Sequence, residues 1–500
     1  MEKTKKISII DTTLRDGEQT PGIAFTADEK LAMAKSLLLE AKADSIEIGS
    51  AHVSEGEFSS AKAICKWAGS KGLLDKIEVL GFIDNKKSVN WVSKAGCKTI
   101  NFLCKGSLKH LRNQLRKTKE QHIKDIKKNI QYAKEKGMAV NIYLEDVSNG
   151  LIGSGEYVFF LLDNLPEVNR VMLPDTLGIW SPMQTYSFCR ELAKKYPYNF
   201  DFHAHNDYGL AVANSLAAVN AGISGIHTTI NGLGERTGNC PLAEVVAAIN
   251  DHTNFSTNIA EKKLSSLSRL VETISGIRLP LNSPVVGENV YTQCCGVHAD
   301  GDKKGNLYCN KLLPERFGGQ RNYALGKTSG KASIEKNLEI LGIELDESSK
   351  KKVLKRVVEL GDKKETITVS DLPYIVSDVL GESIQKNVEL IDFSLLLNAK
   401  NKPSADITLE INSKKYRESS SGDGQYDAFM KAVAGIYSRL NKKLPKLVDY
   451  VVRIPPGGKT DALVETVITW ENCSAFKTRG VDSDQATAAI KATLNMLNRL

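Results

Sequence analysis

Short runs of β-branched and other apolar residues punctuate the first half of the chain. They lie at Ile7–Ile10, Ser45–Ile48, Ile77–Ile83, Thr99–Leu103, Ala139–Leu144, Arg170–Leu173, Asn199–His203 and Gly225–Ile230. Between them the apolar positions recur at helical spacing, so strands and helices alternate. Thr26 and Glu29, three apart ahead of Leu31, Ala34 and Leu38, have the pattern of a capping box and predict the start of the first helix. Strands alternating with helices predict a parallel α/β sheet with crossover helices. Eight such units within residues 1–270 have the size of a closed (β/α)8 TIM barrel. An open doubly wound sheet is the rival, but no GxGxxG follows the first strand.

The texture changes after residue 270. Segment 271–325 is rich in Gly, Asn and Pro and weakly periodic, which predicts a linker crossing an active site. Segment 326–388 reads as a small helical subdomain, with Lys350–Leu360 periodic. From 389 to 500 a strand-then-helix pattern occurs twice. One copy has Ala405–Ile411 and then Tyr426–Leu440; the other has Tyr450–Ile454 and Leu463–Trp470, then Asp484–Leu497. That internal duplication predicts a compact α+β domain with a binding or regulatory role.

Composition adds limits. In 500 residues, apolar types make up 41% and charged types 25%, which excludes a mostly disordered chain and a disulfide mini-scaffold. The net charge of +8 is mild and spread out, compatible with small anionic substrates. Nine sparse cysteines without metal spacing predict reduced thiols, and no apolar stretch of membrane-spanning length occurs. A soluble cytoplasmic protein is the expectation. The Lys/Arg-rich stretch Lys105–Lys128 reads as a solvated helix face, not a nucleic-acid site.

In a barrel, chemistry gathers at the carboxyl ends of the strands. The first strand runs into Asp11–Gln19 (DTTLRDGEQ), where Asp16 can ligate a cation and Arg15 can stabilise developing negative charge. The seventh ends in His203-Ala-His205, two imidazoles on one face of a strand. The eighth leads into Asn231–Asn239 (NGLGERTGN), a glycine-rich loop that either offers Asn239 as an oxygen ligand or cradles a phosphate. Asp16, His203, His205 and Asn239 together would form a mixed N/O site for a catalytic divalent ion, zinc, manganese or magnesium. On the fifth strand, Tyr143 and Glu145 share a face and Glu145 is a candidate base; after the sixth, Thr176 can bind a carboxylate.

The strings Asp11–Gln19, His203–Asp207 and Asn231–Asn239 together resemble the acetyl-CoA-dependent aldol and Claisen condensing enzymes, the DRE-TIM metallolyase superfamily. Its synthase branch makes 2-isopropylmalate, homocitrate or citramalate. Gly296–Gly301 resembles that branch's linker, and Gly422–Asp427 with Leu447–Val464 resembles its C-terminal allosteric domain. The resemblance implies a reaction. A 2-keto acid binds the metal, Arg15 steadies the oxyanion, and a base takes a proton from the methyl of acetyl-CoA. The enolate attacks the ketone, and thioester hydrolysis follows. Glu145 is one candidate base; His298, carried by the linker and offered across a homodimer, is the other.

By the same resemblance Leu80, Leu103 and Tyr143 wall the acceptor pocket. Their bulk implies pyruvate as acceptor, with the 2-ketoisovalerate of 2-isopropylmalate synthases as the alternative. The C-terminal resemblance implies feedback by an amino acid, isoleucine, at Tyr426, Asp427, Leu447, Tyr450, Ile454, Thr460, Val464 and Gln485. Ser483 stands where a proline is expected. A non-catalytic amino-acid sensor would keep that domain and lose the metal groups, yet Asp16, His203 and His205 are all present.

Overall fold

Eight parallel strands close into a barrel in the computed structural model. The model describes residues 5–500 except 154, 306, 363–366, 368, 381–386, 398–401, 454–463 and 473–474. The strands are Ser8–Asp11, Ser45–Ser50, Ile77–Phe82, Thr99–Lys105, Ala139–Glu145, Arg170–Asp175, Phe200–Ala204 and Gly225–Thr228. The first pairs with the eighth, Ser8 beside Gly225 and Ile10 beside His227. The first long helix, Ala27–Lys35, starts at the capping box of Thr26 and Glu29. The eighth strand stops at Thr228 rather than Ile230, because the chain turns at Ile230–Gly232 with Asn231 left-handed at φ +60°.

Each strand sorts its residues by parity. Ile46, Ile48, Val79, Ile100, Phe102, Ile142, Leu144, Phe202 and Ile226 belong to one continuous apolar core. Full burial of such side chains contributes ~1.5–3 kcal/mol each. The alternate positions carry polar groups: Glu47, Glu78, Asn101, Asn141, Asp201 and His227 are all buried. They bond to one another. Asn101 Nδ2 donates to Glu47 (2.8 Å) and Glu78 (3.0 Å), and Asn141 donates to Asn101 (2.8 Å). Arg170 pairs with Glu78 and, at 2.9 Å, with Asp201. A buried ionic layer of this kind holds only because its partners are supplied from neighbouring strands.

The described residues fall into two compact units. One reaches to Thr292 and includes Cys309–Asn322; the other takes Gln293–Tyr308 with Tyr323–Leu500. The second unit holds a helical piece, Lys331–Leu341, Glu347–Asp362 and Leu372–Leu380, around Ile334, Leu338, Val353, Val357 and Leu372. Beyond it stands a repeated pattern of three antiparallel strands and a helix. The first copy is Val388–Leu396, Ser404–Ile411, Lys414–Ser421 and Gln425–Arg439. The second is Lys446–Arg453, Val464–Glu471, Ala475–Asp482 and Gln485–Leu497. Their helices and sheets share a core that includes Phe429, Ile436, Trp470 and Ile490. Among the described residues no helix is long and apolar enough to cross a membrane.

Candidate active site

The carboxyl end of the barrel brings together Asp16, His203 and His205, all buried, with one ligand atom from each lying within 4.8 Å of the others. Asp16 follows the first strand; His203 lies in the seventh and His205 just past its end, two residues on and so on the same face. His203 Nε2 is 3.0 Å from Asp16 Oδ2, and His205 Nε2 is 3.9 Å from it. Asn239 arrives through its backbone, which bridges to His205. Its Nδ2 donates to the Leu233 carbonyl at 3.0 Å, which turns Oδ1 away. Gly234, at φ +149°, makes room, since a Cβ there would lie 2.2 Å from Asn239 Nδ2.

Four buried atoms of this set have no hydrogen-bond partner: Asp16 Oδ1, His203 Nδ1, His205 Nδ1 and Asn239 Oδ1. Burial depresses both imidazoles, His205 to about 4, so both are neutral with lone pairs to give. Burial pushes the Asp16 carboxyl up, but the Arg15 guanidinium and the hydrogen bond from His203 outweigh it and hold it well below the usual range. Neutral imidazole, carboxylate and amide oxygen, with lone pairs unspent, fit a divalent cation.

The Asn231–Asn239 loop does not fit the phosphate cradle. The N–H groups of Gly232, Leu233, Gly238 and Asn239 go to carbonyls within the turn, and that of Gly234 donates to Thr20 Oγ1 at 2.7 Å. A cradle needs such groups free. Arg236 in the loop instead grips Asp207 through Nε (2.8 Å) and Nη2 (3.0 Å), and reaches the Thr176 carbonyl at 2.8 Å.

Beside the cluster, Arg15 is fixed by Nε to Glu47 at 2.6 Å and Nη1 to Asp16 at 3.2 Å, and its Nη2 lies 3.3 Å from Tyr143 Oη. Leu80, Leu103 and Tyr143 meet in one small apolar cluster together with Met172. Met172 stands beside Tyr143 in the strand register, and only its inward parity would have marked it in the sequence. Glu47 and His227, which hold Arg15 and Tyr143, escaped the sequence reading for a similar reason: each is one polar residue inside an apolar run. Thr176 Oγ1 accepts the backbone N–H of Asp146 at 2.9 Å, leaving its own proton to donate. Glu145 stands at the end of the fifth strand in an ion pair with Lys105, its register neighbour on the fourth.

His298 belongs to the second unit, on the helix Gly296–Lys303, with its ring 4.3 Å from that of Tyr308. Of the expected effector positions, Tyr426 and Tyr450 lie ring to ring at 5.3 Å, and the Gln485 side chain lies near the Tyr450 phenol. Tyr426 Oη is 2.7 Å from Thr493 Oγ1. Asp427 is spent on Lys431 (2.8 Å) and on the N–H of Asp423 (2.9 Å). Leu447, half-exposed, stands opposite Trp470, and Val464 is buried. Ile454 and Thr460 lie outside the described residues.

A closed parallel barrel with an acid, two imidazoles and an arginine converging at one rim has the architecture of a barrel enzyme with a site that could hold a metal ion. Family comparison agrees. The HMGL-like model matches residues 6–271, the homocitrate synthase post-HMGL domain-like model 285–365, and the LeuA allosteric (dimerisation) domain model 366–500. The chain belongs to the HMGL-like family, within its acetyl-CoA-dependent condensing enzymes. Two relatives from Methanocaldococcus jannaschii bracket it. A 2-isopropylmalate synthase is 35% identical, with 99% of this chain and 95% of that protein covered. An (R)-citramalate synthase is 32% identical, with 99% of each covered. Overall identity does not separate the two activities, so the acceptor has to be argued from the pocket.

Proposed function

We propose that the chain condenses acetyl-CoA with pyruvate to (R)-citramalate and free CoA. The observation that carries this reading is the cluster of Leu80, Leu103, Tyr143 and Met172 beside Arg15. Three bulky apolar side chains and a phenol ring beside the keto group would favour a methyl substituent over a branched one. The isopropyl group of 2-ketoisovalerate must displace them, at ~1–3 kcal/mol per extra carbon. None of the four is cationic, so a second carboxylate finds no partner among them.

Asp16, His203, His205 and Asn239 would hold a divalent ion, which supplies Lewis-acid polarisation of the keto group when bound. Arg15, locked by Glu47 and Asp16, presents its guanidinium to the oxygen that becomes negative as the carbon–carbon bond forms. Thr176 donates its hydroxyl proton to the acceptor's carboxylate. Either Glu145 or His298 takes the proton from the acetyl methyl. Water then cleaves the thioester, and the CoA thiol leaves.

We assign the C-terminal repeat an isoleucine-type effector site around Tyr426, Tyr450 and Gln485, and the working form a homodimer; the match to an allosteric dimerisation domain supports both. The described cysteines are free thiols, which suits a reducing cytoplasm. Free thiol released from acetyl-CoA, measured over a panel of 2-keto acids, tests the reading. Pyruvate should be turned over fastest, and faster turnover of 2-ketoisovalerate would reassign the chain to 2-isopropylmalate synthesis. Exhaustive chelation should abolish thiol release and a divalent ion restore it; full activity after chelation removes the metal.

A further inference from the structure

A third imidazole lies under the metal-type cluster and is not one of its ligands. His227 is buried in the eighth strand, its ring 5.4 Å from that of His203 and 5.5 Å from that of Tyr143. Its two nitrogens have different neighbours. Nδ1 is 2.9 Å from Tyr143 Oη, and Nε2, which makes no hydrogen bond, lies 3.5 Å from Asp201 Oδ2. Asp201 is itself fixed by Arg170 Nη1 at 2.9 Å. The sequence makes space for this arrangement: a Cβ on Gly225 would come within 2.1 Å of Asp201 Oδ1, so only glycine fits beside the carboxylate.

Tyr143 has one hydroxyl proton and three polar neighbours. Arg15 and Glu47 each stand 3.3 Å away, long for a hydrogen bond; His227 is the near one. The tautomer that suits the shorter contact has Tyr143 donating to Nδ1, which puts the ring proton on Nε2, on the side of the Asp201 carboxylate. The chain Arg170–Asp201–His227–Tyr143 therefore runs from the floor of the barrel to the wall of the acceptor pocket. A buried phenol that loses its nearest partner loses its preference for one orientation.

We propose that His227, backed by Asp201, is a positioning residue for acceptor size: it holds Tyr143 upright against Leu80, Leu103 and Met172, so the width of the pocket is set from beneath. This rests on the pocket reading above. The groups that react are untouched by His227, so its replacement should show in the choice among acceptors more than in the chemistry.

The test is the ratio of kcat/KM for 2-ketoisovalerate to that for pyruvate, measured by thiol release with saturating divalent ion. His227→Leu and Tyr143→Phe should each raise that ratio about tenfold or more, and the double variant should add little to either. His227→Asn, whose amide takes the place of Nδ1, should restore the wild-type ratio. A folded His227→Leu with an unchanged ratio overturns the inference while leaving the pyruvate assignment standing. Should His227→Leu not fold, an unchanged ratio in Tyr143→Phe overturns it equally. Wild-type protein that releases no thiol with any keto acid overturns the assignment and this inference together.

Discussion

Asp11 opens the motif that supplies Asp16, yet its own carboxylate does a different job. It is buried and accepts the Thr13 N–H at 2.9 Å and, at 3.5 Å, the Thr228 hydroxyl. Those bonds do not offset burial, which lifts the carboxyl from 3.8 to about 7. Between those values the folded state keeps a proton that the unfolded chain has lost, so stability falls as pH rises through the interval. Asp11→Asn keeps the shape and the accepting oxygen without the charge. It should raise the unfolding temperature at pH 8, by a stability on the order of a few kcal/mol, and raise it by less than half as much at pH 5. Thermal melts of both proteins at the two pH values check this; equal shifts at both would mean the carboxyl is not the cause. The metal-type triad was legible in the sequence because Asp16 and the His-x-His pair carry their geometry in their spacing. Asp11 was not, because nothing in its neighbours' identities tells that a carboxylate there is dry.

Strands were read from apolar runs, and that worked where the runs are dense. All eight barrel strands lie at or within a residue or two of their predicted places, since parallel strands are covered on their outer face by helices. It failed for Lys414–Ser421 (KKYRESSS), a strand with exposed alternate positions that earns its place only by pairing with Ser404–Ile411. Val388–Leu396 and Ala475–Asp482 were missed as well, so the duplicated pattern came out shorter than three strands and a helix. The inward polar layer was also hidden, because one Glu, Asn or Asp in an apolar run reads as an interruption. Register explains what the layer's upper rim does: Lys105 and Glu145 end adjacent strands side by side. If Glu145 is the base, Glu145→Gln should slow exchange of the acetyl-CoA methyl hydrogens with solvent deuterium by about 10²-fold or more. His298→Asn should leave that exchange running. Mass spectrometry of acetyl-CoA recovered from deuterated buffer, with a non-reactive keto-acid analogue bound, separates the two; the reverse pattern gives the role to His298.

On the proposed reading the barrel carries the reaction and the C-terminal repeat an effector site, and what would join them is a free energy of coupling. Tyr426 and Tyr450, ring to ring at 5.3 Å, form the polar-aromatic corner assigned to the effector. Asp427 is already paired with Lys431, so an effector's ammonium group must compete for it. An apolar effector side chain suits Val464 and the phenol rings better than a charged one. Linkage makes coupling reciprocal: if isoleucine weakens acetyl-CoA binding by some factor, acetyl-CoA weakens isoleucine binding by the same factor. Couplings of ~1–3 kcal/mol are usual, so that factor should fall between about 5 and 150. Calorimetric titration of isoleucine into the full-length protein, with and without acetyl-CoA, measures one side; acetyl-CoA titrated with and without isoleucine measures the other. Equal factors above about 5 make the repeat an allosteric domain, and leucine in place of isoleucine should give the smaller one. Isoleucine binding that is blind to acetyl-CoA, together with unaltered thiol release, would leave the repeat as a dimerisation scaffold and nothing more.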